Sequence, residues 1–411
     1  MLLLKMAFRN LWRRKSRTIL TMIAIGFSYG LLLFFVQFTT GSHEGMIDTG
    51  VRMQAGHVVV QAKGYSEERK ITENISKPEL VLQQIKEIVP DSNVAQRIFL
   101  TGSLSSSSGN TILDNLVGVK PAVEKKISQI PEKLIKGKFL SGTKGEIVIG
   151  ATAAKLLKVD LGMKVQLSIS DVNGNIKRSA LRVRGIFKTG GLTVDRGYAL
   201  ISLKQTQELT KMDSAVTQLA IFTDLASSEK IASRLKTKLN TTELDVLHWR
   251  DAMPMLAQML WVDTISMYVF LFIILGIVSA GILNTVLMSV MERTREFGVL
   301  KSIGMSPWRI FMLIMYEAVF TAIIAIFVGM ILGLSLSYYL SIHGLDPAVF
   351  VEGEQGMEAA GIPMTNLMYS KVTLYSVVWT AISVIVLSVL SALPPSIRAF
   401  RIKPVKAVRD L

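Results

Sequence analysis

The sequence predicts an α+β membrane protein with four transmembrane helices, one followed by three, and a large mixed α/β extracytoplasmic domain between helices 1 and 2. Four charge-free apolar runs support this fold, at residues 18–42, 264–291, 318–342 and 372–397, and each is at least 25 residues long. About 20 helical residues cross the hydrocarbon core of a bilayer. Core helices of a soluble protein rarely run so far without a charge, so we interpret all four runs as membrane spans.

The first run follows a basic segment, which raises the alternative of a cleavable signal peptide. Its apolar part is longer than a typical signal core, and no small-x-small cleavage site closes it. We therefore expect residues 18–42 to remain as the first transmembrane helix.

Basic residues near the helix ends indicate how the spans are oriented, because they are enriched in short cytoplasmic segments. Of the 46 Lys and Arg residues, 15 lie in residues 1–17, 292–317 and 398–411. The loop 343–371 instead carries one lysine and four carboxylates. We therefore expect both termini and the 292–317 loop in the cytoplasm, and segment 43–263 and the 343–371 loop on the opposite, outer side of the membrane. The net charge of +15 thus reports on topology rather than on nucleic-acid binding.

Residues 1–17 are expected to form an amphipathic helix at the inner face of the membrane. Leu4, Phe8, Leu11 and Trp12 share one helical face, with basic residues beside them. This pattern is typical of a helix that lies in the headgroup layer. A helix that simply continues into the first span fits the pattern equally well.

Residues 43–263 have the patterns of a soluble α/β domain. Strands are predicted at 56–64, 97–105, 115–119, 146–150, 217–224 and 244–249, and helices at 79–89, 151–159 and 227–239. This order predicts a porter-like part, at about 52–119 and 215–250, and an inserted part at about 120–214. The chain next to spans one and two keeps helical spacing, which favours a helical stalk over ordinary linkers.

Two local features of this domain are predicted in more detail. Residues 161–187 read as a β-hairpin, and Asn173-Gly174 predicts a type I′ turn at its tip. Ser227 or Ser228 is expected to cap the helix at 227–239.

Signatures of an enzyme or a metal site are missing from the sequence. The four histidines are scattered, there is no cysteine, and neither HExxH, GxSxG nor GxxxxGK[ST] occurs. We therefore expect no catalytic residues, no metal and no bound ATP. The spans hold no ionisable side chain; Asn284 and Thr285 form a polar pair in span two, and Gly329 and Gly333 form a GxxxG step in span three.

The loop between spans two and three carries the sequence MERTREFGVLKSIGMSPWRIF at residues 291–311. It predicts a short helix that starts with four charged residues, Glu292, Arg293, Arg295 and Glu296. Its apolar ridge is formed by Phe297, Val299, Leu300 and Ile303. Gly304 is expected to end the helix in a left-handed cap. Ser306 is expected to cap the next helix, with Pro307 at its first position. Such a tightly joined helix suits docking into a cytoplasmic groove. A solvated surface loop is the alternative interpretation.

Several stretches resemble, in order, the motifs of one family of ABC-transporter permeases, which includes the lipoprotein-releasing complex, the macrolide exporter and the cell-division FtsX protein. The entry, coupling-helix and closing motifs are matched by FRNLWRRKSRTILT, ERTREFGVLKSIG and PPSIRAFRIKPVKAVRDL. EIVIGATAAKLLKVDLGMKVQL and GIFKTGGLTVDRGYALISLKQTQEL resemble the periplasmic domain of the lipoprotein-releasing branch. The resemblance covers nearly the whole chain.

The resemblance implies a multi-pass protein of the bacterial inner membrane that works with a separate ATPase. Two permeases, identical or paralogous, would pair with two ATPases that bind ATP-Mg, and the permease itself would carry no cofactor. The coupling helix would fit a cleft on the ATPase through Glu292, Arg293, Arg295, Glu296, Phe297, Leu300, Lys301 and Gly304.

The resemblance also implies a cargo: lipoprotein taken from the outer leaflet between spans one and two of opposing subunits. Apolar side chains there are candidate cargo contacts, namely Tyr29, Phe34, Phe35, Met267, Phe270 and Ile274. Efflux of antibiotics or peptides with a periplasmic adaptor, and activation of a cell-wall hydrolase without transport, are the alternatives.

One departure from the family concerns a soluble carrier. A branch of the lipoprotein system recruits it through an extended hook between two inserted strands. The equivalent here, Ser170–Ser179, is a short hairpin, which argues against direct recruitment of a carrier. The chain is then either the hookless member of a heterodimer or a homodimer with another route for its cargo.

Overall fold

The computed structural model describes residues 2–239, 242–346, 358–359, 362–363 and 367–402. The chain divides into two compact units. We call them the helical unit, Met1–His43, Val262–Leu345 and Met368–Leu411, and the sheet unit, Glu44–Trp261 and Asp346–Leu367.

The helices of both units differ widely in length, from one turn to more than ten. In chain order they are α1 Leu2–Leu11, α2 Lys15–Gly50, α3 Tyr65–Glu68, α4 Pro78–Ile88, α5 Pro121–Ile127, α6 Ala151–Leu157, α7 Leu192–Gly197, α8 Leu203–Thr210, α9 Leu225–Lys238, α10 Trp249–Ala252, α11 Pro254–Glu292, α12 Thr294–Ser302, α13 Pro307–His343 and α14 Leu374–Phe400.

Four of these helices are long and apolar enough to cross a membrane. Three of them contain one of the runs found in the sequence, and α14 begins two residues inside the fourth run, at Leu374. Two of them, α2 and α11, extend beyond their runs into the predicted extracytoplasmic segment 43–263. Helix α2 continues to Gly50 and is followed by a π-helical turn, Val51–Ala55, whereas α11 begins at Pro254. The chain next to spans one and two is therefore helical, as predicted.

Helix α1 is a separate element, joined to α2 by a 3₁₀ turn at Trp12–Arg14. Ala7 is fully buried, and the rings of Phe8 and Phe320 meet edge to face with centroids 6.0 Å apart. Helix α1 therefore packs on the first half of α13, while its backbone stays right-handed helical through the turn into α2.

The GxxxG step of span three serves packing within the chain. A Cβ added to Gly329 would lie 2.0 Å from the carbonyl oxygen of Gly26, and one added to Gly333 would lie 2.7 Å from that of Gly30. Helices α2 and α13 therefore touch backbone to backbone, which only glycine permits.

The sheet unit is built on one mixed sheet of ten strands. They are β1 Val58–Ala62, β2 Asn93–Ser105, β3 Asn110–Val119, β4 Leu134–Gly137, β5 Glu146–Gly150, β6 Lys164–Ser170, β7 Ile176–Phe187, β8 Tyr198–Ser202, β9 Gln218–Phe222 and β10 Leu244–His248. A separate two-stranded ladder pairs β11 Glu358–Ala359 with β12 Ile362–Pro363.

The strand order is β10-β1-β9-β2-β3-β8-β5-β7-β4, with β6 bridging β2 and β7. The pairs β3–β8 and β5–β7 are parallel, and the other pairs of this sheet are antiparallel. All six predicted strands and all three predicted helices of this region are present. The sequence does not predict β4 and β8, because both are short: β4 directly follows a 3₁₀ turn at Ile130–Lys133, and β8 lies between α7 and α8.

Two local predictions are wrong. The hairpin β6–β7 exists, but its tip is not a type I′ turn. Such a turn requires a positive φ at Asn173, and Asn173 is not among the residues with positive φ. Instead the Gly174 N–H donates to Asp171 O, the Asp171 N–H donates to Asn175 O and Gly174 has a φ of +79°, which is a three-residue loop with a bulge. Helix α9 begins at Leu225 with Asp224 at the N-cap position, ahead of the predicted serine caps.

Candidate functional site

The loop between α11 and α13 folds into the short helix α12. Arg293 breaks the chain from α11, with φ −102° and ψ 11°, and α12 starts at Thr294. The predicted start at Glu292 is therefore wrong: Glu292 is the last residue of α11. The side chain of Thr294 donates to Val290 O at 3.1 Å, which holds the two helices together at the break.

The end of α12 follows the prediction. Gly304 has a φ of +98°, its N–H donates to Lys301 O at 3.1 Å, and the Met305 N–H donates to Leu300 O at 3.0 Å. This pair of bonds is a Schellman motif, in which glycine avoids the strain that a Cβ would cause. The loop therefore ends in a defined turn.

The next helix starts as predicted in position but not in detail. Ser306 is the N-cap residue and Pro307 is at the start of α13. Within the described chain, the Ser306 hydroxyl makes no capping hydrogen bond; the Ser306 carbonyl accepts from the Arg309 N–H at 3.0 Å. Proline thus sets the helix start without help from the serine side chain.

A network of charged side chains braces the first turn of α12. Arg293 Nη1 donates to both carboxylate oxygens of Glu317, at 3.0 and 2.9 Å, and Arg293 Nε donates to Glu296 at 3.4 Å. Asn10 Nδ2 donates to Glu317 at 2.7 Å, and Arg13 Nη1 donates to Glu296 at 2.8 Å. Side chains of α1, α12 and α13, with the α11–α12 break, are therefore joined at one point.

The central pair of this network is largely withdrawn from solvent. Arg293 and Glu317 have side-chain exposures of 13% and 15%. The Arg293 guanidinium also lies 5.0 Å from the ring centroid of Phe297, which is fully buried. Breaking a buried ion pair by removing one partner costs about 3–5 kcal/mol, because the other charge is left without compensation.

Lys301 braces the other end of α12. Its Nζ donates to the carbonyl oxygens of Ala399, Phe400 and Ile402 at 3.3, 2.8 and 2.8 Å. These carbonyls end α14, where a cation is favoured by the unsatisfied acceptors and the helix dipole. Burial lowers the pKa of Lys301 from its ordinary value.

The predicted docking residues thus divide into two groups. Arg293, Phe297 and Lys301 face the chain itself and support α12 from below. Of the other five, Glu292, Arg295 and Gly304 are exposed, and Glu296 and Leu300 are half-buried. Two residues of the predicted apolar ridge, Val299 and Ile303, are also exposed, and Ile303 shows 78% of its surface. The sequence did not point to Glu317, Asn10 or Arg13, because their partners lie far away along the chain.

The six candidate cargo residues also divide. Tyr29 is fully buried and its hydroxyl donates to Val377 O at 3.3 Å, so the expectation that it offers open apolar surface is wrong. Phe35 and Phe270 contact each other, with ring centroids 5.2 Å apart, and Phe270 is exposed. Phe34, Met267 and Ile274 are half-buried.

Among the residues that the structure describes, no three His, Asp or Glu side chains lie close enough to hold a metal ion. The histidines have other partners: His43 contacts Asp263, and His248 Nε2 lies 2.9 Å from the Ser228 hydroxyl. His57 Nδ1 accepts from the Thr223 N–H at 3.3 Å.

These features define a class: a multi-span membrane protein with a large α/β unit inserted after its first span and a braced helical loop between its second and third. The chain belongs to the family of MacB-like and FtsX-like permeases. Residues 18–238 match the MacB-like periplasmic core domain, and residues 268–404 match the FtsX-like permease C-terminal domain. Membership of this family implies an ABC ATPase partner and a paired permease. The homologous proteins are the permease components of such transporters and not the ATPase.

Curated relatives come from the lipoprotein-releasing system. The chain is 27% identical over 303 residues to the transmembrane protein LolC of Xylella fastidiosa, which covers 71% of this chain and 72% of LolC. It is 23% identical to LolC of Neisseria meningitidis, with the same coverage, and 22% identical to LolE of Haemophilus influenzae, with 71% of each chain covered.

Two solved structures of transporter domains show low similarity to this chain. The extracellular domain of the noncanonic ABC-type transporter YknZ from Gram-positive bacteria has a TM-score of 0.34 and 12% identity, covering 46% of this chain and all of that one. The periplasmic region of MacB from Actinobacillus actinomycetemcomitans has a TM-score of 0.33 and 13% identity, covering 48% and 91%.

Proposed function

We propose that this protein is the permease subunit of an ATP-powered ABC transporter that extracts lipoprotein, or related lipidated cargo, from the outer leaflet of a bacterial inner membrane. The observation that carries the proposal is α12. It is held from below by Arg293, Phe297 and Lys301 while it presents an exposed apolar residue, Ile303, at its end. A surface loop without a partner has no need of such bracing.

The orientation that we propose places α12 and both termini in the cytoplasm and the sheet unit in the periplasm. The ATPase is then a separate subunit, which binds ATP-Mg, and the permease carries no cofactor of its own. Closure of the ATPase dimer would push on the exposed side of α12. The ion pair Arg293–Glu317 and the bonds from Lys301 would pass that displacement to α13 and α14 without slack, because each is a directional contact at 2.8–3.0 Å.

Lipidated cargo is favoured by the curated relatives and by the exposed apolar surface of α11. Side chains on several sides of this helix are exposed, among them Phe270, Phe272, Ile273 and Ile277. Acyl chains would compete with membrane lipid for such a surface. The short β6–β7 loop offers no long hook, so we propose that a soluble carrier, if one takes the cargo, is met by another subunit.

Fractionation of membranes tests the proposed cargo. Depletion of the protein should leave outer-membrane lipoproteins in the inner membrane, detected by labelling lipoproteins with palmitate and separating the two membranes on a density gradient. Re-expression of the wild-type chain should restore the distribution. Unchanged sorting on depletion would remove lipoprotein as the cargo.

The two domain matches support the other candidates. The MacB-like domain favours efflux of antibiotics or peptides through a periplasmic adaptor, for which deletion should raise drug sensitivity. The FtsX-like domain favours control of a cell-wall hydrolase without transport, for which deletion should cause chaining or lysis. The sorting experiment separates both from lipoprotein release.

A further inference from the structure

The outer end of the first span helix runs into the middle of the sheet. After α2 the π-helical turn Val51–Ala55 ends at Gly56, whose φ is +75° and whose Cβ, if it had one, would lie 2.9 Å from the Ile221 nitrogen. The last carbonyls of a helix have no partner within the helix and must find one elsewhere. Here the sheet supplies the donors.

Three successive carbonyls receive side chains from three strands. Arg97 Nη2 donates to Arg52 O at 2.9 Å and Arg97 Nη1 donates to Gln54 O at 3.0 Å. Gln218 Nε2 also donates to Gln54 O, and the Tyr198 hydroxyl donates to Met53 O, both at 3.0 Å. We call the side chains of Arg97, Glu124, Tyr198 and Gln218 the socket.

Arg97 is fully buried, and its charge is balanced by Glu124, whose side chain is 2% exposed. The Arg97 Nη2–Glu124 Oε1 distance is 2.7 Å and the Nε–Oε2 distance is 3.3 Å. Burying such a pair gains little stability, since well-packed apolar side chains of similar volume serve as well or better. The hydrogen bonds of an arginine–carboxylate pair are directional, so the pair fixes the orientation of the groups that it binds.

The socket takes its members from both parts of the sheet unit. Arg97 is on β2 and Gln218 on β9, which are neighbours, whereas Glu124 and Tyr198 are on α5 and β8, in the inserted part at 120–214. One helix end therefore holds both parts at once. The start of α11 is joined differently, through an apolar cluster of Trp249, Met253 and Leu256 with residues of α2 and its π-helical turn. Apolar contacts are not directional, so they fix the angle of a helix less sharply than hydrogen bonds do.

We propose that the socket is the rigid joint through which displacement of α2 turns the sheet unit, with Arg97 as its positioning residue. Helix α2, rather than α11, is then the input to the sheet unit. This inference rests on the proposed function for its role in transport, although the joint itself does not require an ATPase. Removing the charges should leave the fold in place and separate helix movement from sheet movement.

The absence of native cysteine makes the joint measurable by spin labelling of the full chain in nanodiscs. Labels at Gly45→Cys, where a side chain meets nothing within 4 Å, and at Asn110→Cys on β3 report the distance between α2 and the sheet. In the doubly labelled chain without further changes, the distribution of label-to-label distances should be narrow. Adding Arg97→Met/Glu124→Leu should broaden this distribution. The matched control Arg184→Met/Glu146→Leu, which removes another Arg–Glu pair of the sheet unit at 2.6 Å, should keep it.

An unchanged narrow distribution in the Arg97→Met/Glu124→Leu variant would overturn the joint. Where circular dichroism shows that this variant fails to fold, Tyr198→Phe/Gln218→Met replaces it. That variant keeps the ion pair and loses two of the four hydrogen bonds to the helix end, so it should also broaden the distribution.

Lipoprotein sorting in cells then tests the role in transport. The socket variant should lose sorting while nucleotide hydrolysis by the purified complex persists, and the Arg184→Met/Glu146→Leu control should keep both. Normal sorting in a variant with a broadened distribution would overturn the transmitting role. If depletion of the wild-type chain leaves sorting unchanged, the proposed function fails, and the spin-label result still decides whether the joint is rigid.

Discussion

Single residues show how this chain uses its few buried charges. Arg293 and Lys301 lie at the two ends of α12, Glu317 lies about three turns into α13, and their hydrogen bonds connect α12 to neighbouring helices. Arg97 does the same for the end of α2 in the sheet unit. In each case the charged group satisfies a helix end or a second charge, as buried charges in proteins must.

The pair Arg293–Glu317 leads to a first residue-level prediction. Glu317→Leu should lower the free energy of unfolding by about 3 kcal/mol, because it removes the nearer carboxylate of the largely buried Arg293 guanidinium and leaves the longer 3.4 Å bond to Glu296. The double variant Arg293→Met/Glu317→Leu should recover most of that loss. Thermal unfolding in detergent, followed by tryptophan fluorescence, measures both. A single variant as stable as the wild type would contradict the account of the brace.

A second residue-level prediction concerns pH. Burial lowers the pKa of His57 and of His248. His57 directly precedes β1, whose first residue pairs with His248 at the end of β10. A histidine with a depressed folded pKa binds its proton more weakly when folded. Stability is therefore full above the unfolded pKa of about 6.5 and falls as the pH drops below it.

We accordingly expect the sheet unit to unfold at lower denaturant concentration at pH 5.5 than at pH 7.5. His57→Gln should reduce this difference, because glutamine is not ionised and its carbonyl keeps an acceptor for the Thr223 N–H. Urea titrations of the full chain at the two pH values provide the measurement. An equal pH dependence in the variant would exclude His57 as a source.

The contact between helices α2 and α13 shows which glycines cannot be replaced by a larger residue. Helices α2 and α13 meet at Gly26, Gly30, Gly329 and Gly333, where a Cβ on Gly329 would lie 2.0 Å from a carbonyl oxygen. On α11, by contrast, a Cβ on Gly276 would meet nothing within 4 Å inside the chain. The two positions form a natural comparison.

Gly329→Ala should therefore push α2 and α13 apart and lower the melting temperature. Gly276→Ala should leave it unchanged or raise it, because alanine is favoured over glycine inside a helix by about 0.5–1 kcal/mol. Melting of both variants in the same detergent measures the contrast. Equal behaviour of the two would show that the α2–α13 backbone contact is not formed.

At the scale of the whole molecule, local patterns of the sequence predict the elements, and contacts between distant residues remain beyond them. The four spans, the helical extensions and the Gly304 cap follow from runs and caps that lie within a few residues of one another. The Arg97–Glu124 pair and the Arg293–Glu317 pair join residues far apart, so nothing near Arg97 indicated that this arginine is buried.

The errors have the same origin. Tyr29 lies on a span whose sequence is apolar on all sides, so no periodicity indicated which face is buried against α13 and α14. Asn173-Gly174 is compatible with two kinds of tight loop, and the structure has the one with three residues rather than two. The parallel pairing of β3 with β8 crosses most of the inserted part and carries no local signal.

The central claim of this account is that energy enters the chain from a separate ATPase through the exposed side of α12. Ile303 tests it best, because it is 78% exposed and its side chain is not part of the brace. Ile112, on β3 of the sheet unit, is 68% exposed and serves as the matched control.

The deciding measurement is the recovery of an ABC ATPase when the tagged full chain is purified from the cells that naturally express it. The wild type and Ile112→Asp should retain the ATPase, and Ile303→Asp should lose it while still inserting into the membrane. Retention of the ATPase by Ile303→Asp, or no ATPase with the wild type, would contradict the account.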